Sequence, residues 1–139
     1  MNQSQEGNGE TILVVEDENA IRKLVCSMLL QGGYTVCEAA DGQQALELMQ
    51  GRPKPVDLVL TDMIMPQMTG TELAQRLAET YPALPVLFMS GYCDDPAVQH
   101  IERVGARFLA KPFSSKALLE KVRVVLEPHR SRTQTNSPA

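Results

Sequence analysis

The sequence contains only three cysteines, Cys26, Cys37 and Cys93, and no Cys-x-x-Cys pair. An odd number at wide spacing argues against a disulfide framework and for reduced thiols. The two histidines, His100 and His129, have no metal-ligand spacing to each other or to a cysteine, so a zinc site is disfavoured. No apolar run approaches the roughly 20 residues that a membrane-spanning helix needs. Residues 1–10 are polar and lack the hydrophobic segment of a signal peptide. Blocks of like charge are missing too, so neither a basic arm nor a membrane-binding patch is indicated. The net charge is −4 and the pI about 5.2, which argues against nucleic acid as the main partner. There is no internal repeat.

What is present is a chain of 139 residues with a hydrophobic fraction of 43%. That suffices for one compact domain with a buried core and is too short for two comfortable ones. The organising stretch is Val56-Asp57-Leu58-Val59-Leu60-Thr61-Asp62. Its apolar residues are continuous rather than alternating, as in a central strand of a parallel sheet covered on both faces. Asp62 closes the run, and Pro66 and Gly70 mark a loop after it.

Four further strands are expected. Thr11 to Val15 ends in Glu16-Asp17-Glu18. Tyr34 to Ala39 has the mixed polarity of a strand near an edge. Pro85 to Met89 ends at Ser90-Gly91, and Ala106 to Ala110 ends at Lys111-Pro112. Helical periodicity follows each strand. Ile21, Leu24, Val25, Met28 and Leu29 form the first apolar stripe, stopped by Gly32-Gly33. Asp41 is placed to cap a helix carrying Ala45, Leu48 and Met49. A breaker-rich loop follows at Gly51-Arg52-Pro53-Lys54-Pro55. Thr71 to Tyr81 is helical up to Pro82, with Leu73, Ala74, Leu77 and Tyr81 inward. Asp94-Asp95-Pro96 starts a short, weak helix with Val98 and Ile101, ended by Gly105. Ser114 caps a last helix through Leu118, Leu119, Val122, Val125 and Leu126, terminated by Pro128. Residues 1–10 read as a leader or linker end, 11–127 as the domain, and 128–139 as a disordered tail. Five βα units in succession imply a parallel sheet with helices on both faces.

In such a sheet every strand's C-terminal end lies on one side, where ligands bind. Glu16 and Asp17 come from the first strand, Asp62 from the third, Ser90 from the fourth and Lys111 from the fifth. Carboxylates so close repel one another unless something positive intervenes. An oxygen-only donor set favours a hard divalent cation such as Mg²⁺. Carboxylate, metal, lysine and hydroxyl together suit a phosphoryl group. Each residue also has a plainer reading. Glu16, Asp17 and Glu18 favour the start of a helix, Ser90 suits a turn and Phe108 suits a core. Cys93 has no neighbour that would activate it.

Four motifs, in order and on the right elements, resemble the CheY-like receiver domain of response regulators in two-component signalling. They are Val14-Val15-Glu16-Asp17-Glu18, then Leu60-Thr61-Asp62-Met63-Ile64-Met65-Pro66 with Gly70, then Met89-Ser90-Gly91, then Lys111-Pro112-Phe113. The resemblance covers roughly residues 10–127. It implies a flavodoxin-like (βα)5 fold with strand order 2-1-3-4-5. It implies that Asp62 is the phosphoacceptor, taking a phosphoryl group from a histidine kinase, a histidine phosphotransfer domain or a small phosphodonor. Mg²⁺ would be held by Asp17, Asp62 and the main-chain carbonyl of Ile64, and by Glu16 through water. Lys111 and Ser90 would contact the phosphoryl group. Phe108 would be a switch aromatic that turns inward with Ser90 and alters the face of the fourth helix, fifth strand and last helix, where a downstream protein docks. The Lys111-Pro112 bond would be cis.

The chain departs from the family pattern at Glu16, where Asp is commoner, and at Ile64, where some relatives carry a polar side chain that positions hydrolytic water. Slow self-dephosphorylation is the expectation. The run Phe88-Met89-Ser90-Gly91-Tyr92 resembles receivers fused to hybrid sensor histidine kinases. A cytoplasmic setting is expected, with no membrane or nucleic-acid contact by this piece. A weak homodimer through the last helix is compatible with the sequence, though nothing in it demands one. Two rivals are a Mg²⁺-dependent phosphatase with an aspartyl nucleophile and a non-phosphorylated docking module. The phosphatase would need a second Asp at position 64.

Overall fold

The computed structural model describes residues 9–51, 55–91 and 107–135, with 107 and 128–135 as backbone only. Most of the expected leader, the centre of the breaker loop, the weak helix expected over 94–105 with Cys93, and residues 136–139 lie outside the described residues. The five strands are β1 (Thr11–Val15), β2 (Thr35–Ala39), β3 (Leu58–Asp62), β4 (Val86–Ser90) and β5 (Arg107–Ala110). All neighbours are parallel, in the order β2-β1-β3-β4-β5. The described helices are α1 (Asn19–Gln31), α2 (Gly42–Gly51), α3 (Gly70–Thr80) and a C-terminal helix (Ser115–Thr135).

The continuous apolar runs of β1 and β3 are explained by burial on both faces. Side chains alternate across a strand. Ile12, Val14, Leu58 and Leu60 therefore pack against Val25 and Leu29 of α1 and Leu118, Val122 and Leu126 of the C-terminal helix. Leu13, Val15 and Val59 point the other way, onto Ala45 and Met49 of α2 and Leu73 and Leu77 of α3. The edge position read from the mixed polarity of Tyr34 to Ala39 is borne out, since β2 is terminal and only Ala39 is fully buried in it.

The caps follow the sequence chemistry. Asp41 Oδ1 accepts from the Gln44 N–H at 2.8 Å, and Ser114 Oγ accepts from the Ala117 N–H at 3.1 Å. Two expectations are corrected. Leu24 is 56% exposed rather than inward. It lies about 100° round the helix from Val25, outside the arc that meets the sheet, and Cys26 takes a core place instead. Burial, with the charge of Glu38 next, pushes the Cys26 thiol up to about 11, so it behaves as a small apolar group. The last helix is not terminated by Pro128, and its backbone stays helical to Thr135. The tail expected from 128 to 139 is thus helical in its first part. A proline removes one hydrogen bond from the ladder and costs about 3 kcal/mol. The residues after it still have N–H donors, so a helix anchored by Leu118, Val122 and Leu126 can propagate through it.

The registers bring the strand ends level: Val15 lies beside Ala39 and Thr61, Asp62 beside Met89, and Ser90 beside Ala110. The site depends on this packing. Leu60→Ala, at a fully buried position in the strand before Asp62, is expected to lower the unfolding free energy by about 3 kcal/mol. Urea denaturation checks it; a loss below about 1 kcal/mol would mean that the neighbouring layers collapse into the space.

Candidate functional site

β1 ends at Val15, and the chain turns at once through Glu16, Asp17 and Glu18 into α1. The Glu16 N–H donates to the Ala39 carbonyl at 3.1 Å, which continues the β1–β2 pairing by one residue. The Glu16 side chain is 0% exposed. Its Oε2 accepts from the Glu18 N–H at 3.1 Å, and its Oε1 takes the Lys111 ammonium at 3.0 Å. Asp17 is exposed at the rim.

β3 delivers Asp62, 8% exposed. Its Oδ2 accepts from Lys111 Nζ at 3.2 Å, and the Ile64 N–H approaches Oδ1 at 3.5 Å. The loop after it folds back tightly. Gln67, at φ 74°, is the centre of a γ-turn in which the Met68 N–H donates to the Pro66 carbonyl at 2.7 Å. The Gly70 N–H then returns to the Met63 carbonyl at 2.9 Å. Glycine is required there because a Cβ would collide with the Asp62 carbonyl oxygen and crowd Met63 Cα. The start of α3 is thus seated directly on the backbone of Asp62.

β4 brings Ser90, buried at its end. The Lys111 N–H donates to the Ser90 carbonyl at 2.8 Å, so the lysine's main chain is fixed beside β4 while its side chain reaches over to β1 and β3. The Lys111-Pro112 bond is cis, as the motif resemblance implies. Asp17, Asp62, Ile64, Ser90 and Lys111, with Glu18, Ile21 and Gly91, line a cleft of about 410 Å³. Ile64 is 54% exposed at its mouth. Phe108 is elsewhere: half-buried, it packs with Met63, Phe88, Ala74 and Val86 on the α3 side of the sheet.

All the residues singled out at the strand ends are therefore brought together, and Phe108 stands apart from them. The sequence patterns did not single out Arg22 and Glu38. Arg22 Nη1 donates to the Glu16 carbonyl at 2.8 Å and its Nε to Glu38 Oε1 at 3.0 Å. Lys23 joins Glu38 as well, at 3.1 Å. Opposite charges 16 residues apart carry no signal until β2 is known to lie beside β1.

The donor set fits a hard cation. One oxygen from each of Glu16, Asp17 and Asp62 lies within 4.8 Å of the others, and carboxylate-only sites suit Mg²⁺ or Ca²⁺. The electrostatics describe a charge balance. Burial pushes the Glu16 carboxyl above its ordinary 4.5; the Glu18 N–H and Lys111 pull it back, and the charge of Asp62 adds to the rise. Burial of the Lys111 ammonium works to lower its pKa, but the hydrogen bond to Glu16 and the charges of Asp62 and Glu16 outweigh it and hold it above 10.5. The lysine therefore keeps its charge at neutral pH.

Since the folded chain holds the Glu16 proton to higher pH than the unfolded chain does, the contribution of Glu16 to stability falls as pH rises from about 4.5 through the raised value. Glu16→Gln removes that dependence. In metal-free buffer the variant is expected to gain stability relative to wild type as pH climbs through this window. Urea unfolding across a pH series reads it out, and a difference that stays constant with pH would show that ionising Glu16 carries no folding cost.

Comparisons with known proteins agree with this geometry. Residues 12–123 match the family model of the response regulator receiver domain. The sensor kinase CckA of Brucella abortus is 42% identical over 118 residues, which are 84% of this chain and 12% of that protein. The response regulator receiver protein CpdR of the same organism is 34% identical over 121 residues, covering 83% of this chain and 95% of CpdR. The crystal structure of the receiver domain from the hybrid histidine kinase CckA superposes with a TM-score of 0.70 at 37% identity, over 84% of this chain and 98% of that one. With the sheet order, the strand-end residues and the family model in agreement, the chain belongs to the response regulator receiver domains of two-component signal transduction.

Proposed function

We propose that Asp62 is the phosphoacceptor of this receiver domain. The observation that carries the reading is the lysine-bridged carboxylate pair at the edge of an open cleft, Lys111 Nζ lying 3.0 Å from Glu16 and 3.2 Å from Asp62. An oxygen of Asp62 forms a bond to phosphorus while the phosphorus–nitrogen bond of a phosphohistidine breaks, and the electron pair leaves with the imidazole. The product is an acyl phosphate on Asp62.

Asp17, Asp62 and the Ile64 carbonyl would hold Mg²⁺ directly, and Glu16 through water. When bound, the ion neutralises charge so that an anionic phosphoryl group can approach an anionic carboxylate. Lys111 supplies the second positive charge: it leaves the Asp62 oxygen it now holds and pairs with a phosphoryl oxygen. Ser90 donates a hydrogen bond to another. Phe108, packed beside Met63 and Phe88, reports the change to the face made by β5 and the C-terminal helix. A downstream protein reads that face, and its affinity changes by population shift.

The donor partner is a histidine kinase or a histidine phosphotransfer domain. The chain spans 12% of the length of CckA and nearly all of CpdR. The higher identity to the sensor kinase favours a place in a hybrid kinase, whose catalytic activity would then reside elsewhere in the parent chain. The receiver itself catalyses only its own phosphorylation and dephosphorylation, and it works in the cytoplasm. Among the described residues no helix is long and apolar enough to cross a membrane. A phosphatase of the aspartyl-nucleophile class needs a carboxylate two residues after the nucleophile, where this chain has Ile64. A docking module without phosphorylation would not need Asp17, Asp62 and Lys111 together.

Incubation with acetyl phosphate and Mg²⁺, followed by intact mass measurement, is expected to give one phosphoryl adduct on wild type and none on Asp62→Asn or in EDTA. No adduct on folded wild type would favour the docking module, and donor turnover without an adduct would favour the phosphatase. The exposed apolar side chain of Ile64 cannot orient hydrolytic water, so the adduct on Ile64→Asn is expected to decay faster than on wild type. Equal decay rates would remove that role.

A further inference from the structure

Asp17 is the one member of the acidic cluster that is exposed, and no side-chain hydrogen bond fixes it among the described residues. Among the described residues its place is set by its backbone. That backbone is held at the residue before it, from two sides. The Glu16 N–H is bonded to the Ala39 carbonyl, and the Glu16 carbonyl accepts from Arg22 Nη1 at 2.8 Å. The Arg22 guanidinium, with its side chain 14% exposed, is in turn fixed by Glu38 Oε1 at 3.0 Å. Glu38 lies on β2, the strand paired with β1, opposite Val14.

We propose that Arg22 is a positioning residue for the metal site: it clamps the turn between β1 and α1 so that Asp17 and Glu16 stay convergent with Asp62. The inference rests on the reading of this cluster as a Mg²⁺ site. The planar guanidinium suits the task because one group can span a main-chain carbonyl and a carboxylate in fixed geometry, whereas an ammonium is a point donor on a flexible stem. Glu38 acts as the far anchor. The Lys23 hydrogen bond holds its carboxyl below the usual range; partial burial opposes this, and Arg22 adds to the lowering, so Glu38 is ionised wherever Arg22 needs it. Loosening the clamp leaves every metal ligand in the sequence but lets the turn wander, and ligand convergence is what a small hard cation demands most.

The test measures Mg²⁺ binding directly by calorimetry on wild type, Arg22→Gln, Arg22→Lys and Glu38→Gln, below the melting temperature of each. The adduct yield with acetyl phosphate is followed against Mg²⁺ concentration in parallel. Each variant is expected to weaken Mg²⁺ binding about tenfold. Half-maximal phosphorylation should shift to correspondingly higher Mg²⁺, with the yield at saturating Mg²⁺ restored. Arg22→Lys keeps the charge, so its failure to rescue assigns the effect to the fork. Glu38→Gln, on an edge strand outside the cluster, guards against misfolding of the Arg22 variants. Unchanged Mg²⁺ affinity in folded Arg22→Gln and Glu38→Gln, with only a lowered melting temperature, would overturn the proposal in favour of a purely structural ion pair. Full rescue by Arg22→Lys would overturn it in favour of charge alone, and wild type that binds no Mg²⁺ would overturn it by removing the metal site it rests on. Wild type that binds Mg²⁺ but forms no adduct would remove the phosphoacceptor reading and leave the clamp to be judged on affinity.

Discussion

One ammonium group holds the working edge of this sheet together. Lys111 lies between two carboxylates that come from different strands, separated from it by 95 and 49 residues in sequence. Without a cation there, Glu16 and Asp62 would face each other in a largely buried corner, and like charges in that setting are costly. The lysine is available only because β5 lies beside β4, which lies beside β3, with their ends level. The outermost strand on one side thus neutralises charge that the central strands carry. This makes the site a property of the whole sheet: any change in strand order or register would separate the charges it balances.

The rest of the geometry is set mainly by backbone. Asp62 is fixed from below by α3, whose first residue, Gly70, sits against its carbonyl oxygen. Asp17 is placed by the turn at Glu16, which the pairing with Ala39 and the Arg22 contact both restrain. Ser90 is tied through its carbonyl to the Lys111 N–H. The polar side chains that line the cleft are therefore presented by backbone tied to the sheet and its helices, while the cleft above them stays open. Polar groups held in this way need little reorganisation to meet a charged ligand.

Much of this was legible in the sequence because the signals were local. The buried strands announced themselves as continuous apolar runs, the edge strand by its mixed polarity, and the caps at Asp41 and Ser114 by their residue types. The strand-end polar residues were found because a parallel sheet collects such ends on one side. What escaped was either angular or non-local. Leu24 satisfies a loose helical spacing, yet lies at the flank of the stripe, where the sheet does not reach it. Pro128 is a strong stop signal that an anchored helix overrides. The pairing of Arg22 with Glu38 depends on which strand neighbours β1, and no pattern within α1 or β2 carries that information. Gly70 was visible as a loop marker, but its contact with the Asp62 carbonyl appears only once α3 is docked.

The central claim is that Asp62, and not another carboxylate of the cluster, receives the phosphoryl group. Borohydride reduction of the phosphorylated protein converts an acyl phosphate of aspartate to homoserine, and peptide mapping then locates it. The account predicts homoserine at position 62 alone, with positions 16 and 17 unaltered. Reduction at position 17, at position 57, or at none of these with the adduct present would contradict it.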